Sequence, residues 1–143
     1  SESIIRAVLM ELKPVFARNE RVEVAGVDVT IRLVQNPTSF QLNLDELLPD
    51  QTPLMFMAGR DIHDPSWLWT VDFSRVKRVD IVGGFNAHEL SLRLAFAGVE
   101  VGAVIQDASA AADSFLALSG KGHTVLFSAD AMRRVRRHWG LAK

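Results

Sequence analysis

The chain contains no cysteine. That excludes disulfide staples, thiolate nucleophiles and cysteine-built zinc sites, and it fits a reducing compartment. No stretch approaches the ~20 apolar residues that a membrane-spanning helix needs. The opening segment breaks its apolar residues with Glu2, Arg6 and Glu11 and has no small-residue cleavage site. It therefore does not read as a signal peptide, and a cytoplasmic protein is expected. An excess of one charge is also missing. Lys and Arg number 16 against 17 Asp and Glu, a net −1, so no overall field draws the chain to nucleic acid or anionic lipid. Two signatures of self-sufficient catalysis are absent. Without G-x-x-x-x-G-K-[ST] nothing is built to cradle a triphosphate, and no G-x-S-x-G elbow accompanies any serine.

What is present is the composition of a globular chain: 48% hydrophobic and 23% charged residues over 143 positions exclude a disordered, collagen-like or coiled-coil protein. Ile4, Ile5, Val8, Leu9 and Leu12 share one stripe of a helix that Pro14 ends. Period-two alternation over 21–24 and 27–34, with Ala25-Gly26 between, predicts an antiparallel hairpin. Pro37 suits a first helical position, so a helix carrying Phe40, Leu42, Leu44 and Leu47 is expected after Asn36. Strand and helix then alternate. Short apolar strands are expected at 53–57, 79–82, 99–105 and 123–127, and helices over 86–97, 107–118 and from Ser128 into Arg137. Residues 64–71 read as a loop with a helical turn. Asn86, with Glu89 three residues on, and Ser128 read as helix caps. Alternating helices and short apolar strands imply a sheet covered on both faces. The expected fold is α/β: a Rossmann-like, mostly parallel sheet with helices on both faces and an N-terminal antiparallel β-hairpin, in a single domain spanning 1–143.

Three constellations bear on chemistry. Gly83-Gly84-Phe85-Asn86 stands between a strand and a helix, where a phosphate loop would stand, but without phosphate-loop spacing; a tight turn is the simpler reading. Arg60-Asp61-Ile62-His63-Asp64-Pro65-Ser66-Trp67-Leu68-Trp69 is the densest polar cluster. Two carboxylates and an imidazole within four residues suit a metal or acid–base work, yet no further Asp/His motif accompanies them, and no metal is expected. Asp64-Pro65 reads as a helix cap followed by a first-turn proline. Trp67 and Trp69 suit either a core or a contact surface. The last helix carries Arg133, Arg134, Arg136, Arg137 and His138. Such a row either binds phosphate or forms a solvated face opposing the helix dipole. Neither His88 nor His123 has a partner readable from sequence.

Longer stretches resemble a known family in order along nearly the whole chain. Phe16-Ala17-Arg18-Asn19-Glu20-Arg21 and Leu33-Val34-Gln35-Asn36-Pro37-Thr38-Ser39-Phe40 are similar to F-G-R-x-E-R and L-x-K-N-P-A-G-F of the C-terminal domain of MurT-type Mur ligases. Asp64-Pro65-Ser66-Trp67-Leu68-Trp69-Thr70-Val71-Asp72-Phe73 resembles that family's D-V-S-W-I-W-D-V-D-F, its most specific motif. Leu92-Arg93-Leu94-Ala95-Phe96-Ala97-Gly98-Val99 resembles L-R-L-K-Y-A-G-V. Thr70 stands where the family has an aspartate, and Gln35 where it has a lysine. The resemblance implies a part of the large subunit of lipid II isoglutaminyl synthase, an ATP- and Mg-dependent ligase. That enzyme amidates D-glutamate of the acceptor, lipid II, to D-isoglutamine with ammonia from a GatD-type glutaminase subunit. It implies that ATP and Mg sit on a Mur ligase central domain, with none bound by this chain alone. It assigns Asp64 the role of completing the glutaminase's Cys–His pair in trans, with Trp67 and Trp69 at that interface. It sets Asn36 near nucleotide or acceptor, against its plain reading as a helix cap. Two rival expectations stand beside it: a docking or regulatory domain without amidation, and an independent α/β domain that binds a small metabolite.

Overall fold

A computed structural model describes residues 19–141; the helix expected near the N-terminus and the residues Phe16 to Arg18 lie outside them. Strands β1 (Asn19–Val24) and β2 (Val27–Leu33) pair antiparallel, from Asn19 opposite Arg32 to Val24 opposite Val27. The two-residue connection, Ala25-Gly26, takes positive φ at both positions (51° and 81°), the twist that suits a tight hairpin. There follow α1 (Pro37–Glu46), β3 (Leu54–Met57), a 3-10 helix (Pro65–Thr70), β4 (Arg78–Gly83), α2 (Ala87–Phe96), β5 (Glu100–Ile105), α3 (Ala108–Leu116), β6 (Thr124–Phe127) and α4 (Ala129–His138).

The six strands form one sheet in the order β1-β2-β6-β3-β4-β5, parallel throughout except for the hairpin. Both faces are covered. Phe40, Leu44, Phe56, Leu68, Phe73, Leu90 and Leu94 pack into one core, which α1, the 3-10 helix and α2 close. Ile31, Met55, Ile81, Phe115, Val125, Phe127 and Val135 build the other beneath α3 and α4. In β3, Leu54 and Phe56 face the first core while Met55 and Met57 face the second, so the strand is apolar at every position. That is the pattern of a strand sandwiched between helical layers. From β3 the chain moves outward through β4 and β5, and α3 then returns it to β6 on the other side of β3. The ends of β3 and β6 thus flank a reversal of winding, the place where open α/β sheets leave a crevice.

Several local expectations need correction. Leu42 is 45% exposed, because the apolar stripe of α1 passes through Phe40 and Leu44 instead. Asn86 precedes α2 but makes no side-chain cap. Its amide donates to the carbonyls of Gly59 (2.9 Å) and Ile62 (3.0 Å), stitching the loop after β3 to the turn after β4. Ser128 likewise does not cap α4. Its hydroxyl accepts the Gly59 N–H (2.9 Å), and the Asp61 carboxylate, from that same loop, accepts the N–H of Asp130. Gly59 must be glycine for this close approach: a Cβ would lie 2.7 Å from the Asp130 carboxylate and 2.8 Å from the Ala131 nitrogen.

Candidate functional site

The segment carrying Asp64 is short and would not hold its shape alone, since a 3-10 helix has strained hydrogen bonds and few of them. Its neighbours hold it. Leu68 is fully buried and drives the segment into the core between α1 and α2. Trp67 is half-buried and meets Phe40 edge to face, with ring centroids 6.3 Å apart. At the C-terminal end Arg93 of α2 donates to the carbonyl of Leu68 (3.2 Å), which also accepts the Val71 N–H, and to that of Val71 (2.7 Å). The same guanidinium stacks on Trp69 (5.3 Å) and Phe73 (5.2 Å). From α1, the Gln41 amide accepts from the Asp72 N–H (2.8 Å) and donates to the Asp72 carbonyl (3.1 Å).

Asp64 occupies the N-cap of this clamped segment, as its sequence context predicts. Oδ1 accepts both the Ser66 hydroxyl (2.6 Å) and the Ser66 N–H (3.1 Å). Oδ2 has no hydrogen-bond partner among the described residues, and the side chain is exposed. The Ser66 hydroxyl and then the Ser66 N–H hold the carboxyl below its ordinary pKa of 3.8, outweighing the small cost of desolvation. The group is an anion with one free oxygen at neutral pH. Near the other end of the segment Trp69 is 40% exposed and packs edge to face on Phe96, 73% exposed, at 5.3 Å. The two tryptophans therefore divide their roles: Trp67 belongs mostly to the core and Trp69 to the surface.

Asn36 is an exposed cap. Its Oδ1 accepts the Ser39 N–H (2.8 Å), and the Ser39 hydroxyl accepts the Asn36 N–H (3.1 Å) in return. Neither Asp61 nor His63 gathers with Asp64 around a common point. Asp61 serves α4, His63 is exposed, and among the described residues no group of three His, Cys, Asp or Glu side chains is placed to hold a metal. The turn at Gly83-Gly84-Phe85-Asn86 is a structural turn. The N–H groups of Asn86 and Ala87 bond to the carbonyls of Ala58 and Gly84, and a Cβ on Gly84 (φ 94°) would meet the Ala58 oxygen at 2.6 Å. These two amides are spent within the protein, and the close approach to Ala58 makes this a tight structural turn. His88 is exposed; His123 is buried, with Nε2 3.0 Å from the Leu118 carbonyl.

The profile of a family described as MurT ligase C-terminal matches residues 33–130, about two thirds of the chain. The chain belongs to the MurT ligase C-terminal family. No curated protein matches it. The family match covers Asn36, Asp64, Trp67 and Trp69, and it also covers Arg93, which sequence reasoning did not single out. The signals for Arg93 were its place in the L-R-L stretch and a cation near the end of α2, for which a dipole explanation suffices. In this MurT-type domain the arginine instead joins the L-R-L stretch to the tryptophan motif. No helix among the described residues is long and apolar enough to cross a membrane.

Proposed function

We propose that the domain serves the glutamine-dependent, ATP-driven amidation of D-glutamate in lipid II to D-isoglutamine, as one part of a cytoplasmic carbon–nitrogen ligase. Its share is to dock a GatD-type glutaminase and to lend Asp64 to the partner's Cys–His pair. The observation that carries this reading is Asp64 itself: ionised, exposed, with Oδ2 unspent, on a segment clamped by Arg93 and Gln41 inside the family match. Trp69, with Phe96 beside it, supplies an apolar contact for the partner.

In this reading Oδ2 accepts an N–H of the partner's imidazole. It thereby fixes the tautomer whose other nitrogen takes the cysteine's proton, and it stabilises the imidazolium that results. The thiolate attacks the amide carbon of glutamine, the imidazolium returns its proton to the leaving nitrogen, and ammonia departs. Water then hydrolyses the thioester. Ammonia attacks the glutamate carboxylate held as an acyl phosphate: the C–N bond forms as the bond to the phosphate oxygen breaks, and the nitrogen releases a proton. ATP and Mg belong on the Mur ligase central domain, a division supported by the lack of P-loop spacing in this sequence. Asn36, an exposed cap at the end of β2, stands on this reading near nucleotide or acceptor in the closed enzyme.

Asp64→Asn separates the two jobs of the side chain, since Asn caps about as well as Asp but carries no charge. Glutaminase turnover of the assembled complex should fall by orders of magnitude, about 10⁴ where a triad's orienting carboxylate becomes an amide, with the melting temperature nearly unchanged. Asp64→Ala should lose turnover and also melt at lower temperature. Full turnover in Asp64→Asn would reduce Asp64 to a helix cap.

A further inference from the structure

The row of arginines on α4 is not one solvated face. Arg136 turns to Glu20 of β1 (3.0 Å), and Arg133 is exposed. Arg134, Arg137 and His138 face α3 across a cleft of about 670 Å³ at the C-terminal edge of the strands. Arg60, from the loop after β3, enters the same cleft with its guanidinium 4.8 Å above the ring of Phe85, which is 50% exposed. Residues some 75 positions apart in sequence are thus gathered beside the winding reversal at β3, the position where such sheets bind ligands.

The charges of the cleft do not cancel. Asp130 is committed: its carboxylate accepts the Arg60 N–H (2.9 Å) and the Arg134 Nε (3.2 Å). Burial works against its charge, but these donors and the nearby Arg133 prevail and keep it ionised. Asp107 is spent on the Ala110 N–H (2.9 Å), and His138 meets Asp113 (2.8 Å). The Arg60 and Arg137 guanidinium groups have no acceptor among the described residues. Opposite them, Ala108 and Ser109 in the first turn of α3 carry N–H groups that no helical carbonyl takes.

We infer that the cleft between α3 and α4 binds a phosphate-bearing small molecule, with its oxyanion held between Arg60, Arg137 and the first turn of α3. Guanidinium forks and helix N-terminal amides match a tetrahedral oxyanion in geometry as well as in charge. The exposed Phe85 ring offers a planar group a place to stack. This site is separate from Asp64, so it stands or falls independently of the amidation reading.

Calorimetric titration of the chain with inorganic pyrophosphate and with ADP, at low ionic strength, tests it. Saturable binding is expected. Arg60→Gln and Arg137→Gln should each weaken it about tenfold, the scale of one charge-assisted contact, with the melting temperature unchanged. Arg133→Gln removes the same charge from α4 at a residue that does not line the cleft, and should weaken binding clearly less than Arg137→Gln. Tighter binding of ADP than of pyrophosphate, lost in Phe85→Ala, would identify a nucleotide. Equal affinities would identify the phosphate group alone. No saturable binding of either probe at millimolar concentration would overturn the proposal. So would equal weakening by Arg133→Gln and Arg137→Gln, or no weakening by Arg60→Gln and Arg137→Gln.

Discussion

A carboxylate that gives one oxygen to Ser66 and keeps the other in solvent stays ionised wherever a partner imidazole titrates, because both Ser66 bonds favour the anion. Asp72 is in a similar state: the N–H and then the hydroxyl of Ser74 hold its pKa below 3.8, with Arg93 adding a smaller pull. Both folded-state pKa values lie below the unfolded ones. Their contribution is therefore complete above the ordinary value of 3.8 and is lost as pH falls through the folded values. Thermal melts taken from neutral pH to about pH 3 should show the melting temperature falling at the acid end, and less steeply in Asp72→Asn than in the parent. A parent that gains stability on acidification, or an unchanged slope in the variant, would contradict this. At this scale Asn36 and Asp64 were legible because each bonds within three residues of itself, so the cap signature contains its own partner. Asn86 and Ser128 carry the same signature. Their partners, Gly59 and Ile62, come from another strand's loop and outcompete the local amides, which no reading of a short window reveals.

The 3-10 helix depends on α2 more than on its own sequence. Arg93 satisfies its last carbonyls and stacks between Trp69 and Phe73, while Leu94, the next residue, points into the core with no exposure. The two neighbours should therefore fail differently. Leu94→Ala removes core volume and should cost ~2–5 kcal/mol of global stability in denaturant titrations. Arg93→Ala should cost less globally, about 1–3 kcal/mol for carbonyls losing a charged donor, but should raise hydrogen exchange selectively over 65–71. Arg93→Lys should not restore protection, because one ammonium cannot bond two carbonyls and stack on two rings together. Uniform exchange changes in Arg93→Ala would show that the clamp is not local. The strands and helices themselves were readable because each changes period, from two or continuous apolar to 3.6, at a glycine, proline or capping residue. The clamp was not, since it joins residues about 25 apart whose chemistry is ordinary for a helix surface.

Over the whole molecule, alternation of strands and helices implied a parallel sheet with two covered faces, and the hairpin implied its antiparallel edge. Strand order was not implied, and it is order that matters for the sites. Because β6 returns beside β3, Arg60 and Arg137 line one cleft, and Asp61 can hold the start of α4. The Asp64 segment packs into the core under α1 and α2, whereas the cleft lies between α3 and α4. The sequence has no P-loop, and the Asn86 and Ala87 amides after β4 bond within the protein. The chain alone should therefore show no ATP turnover, even if a phosphate group occupies the cleft. Adding a P-loop-bearing Mur ligase central domain, the glutaminase and lipid II should be needed together for phosphate release coupled to amidation. A coupled phosphate-release assay with each component omitted in turn checks this. ATP turnover by the isolated chain, abolished by Arg137→Gln, would move the nucleotide chemistry into the cleft and overturn the division of labour proposed here.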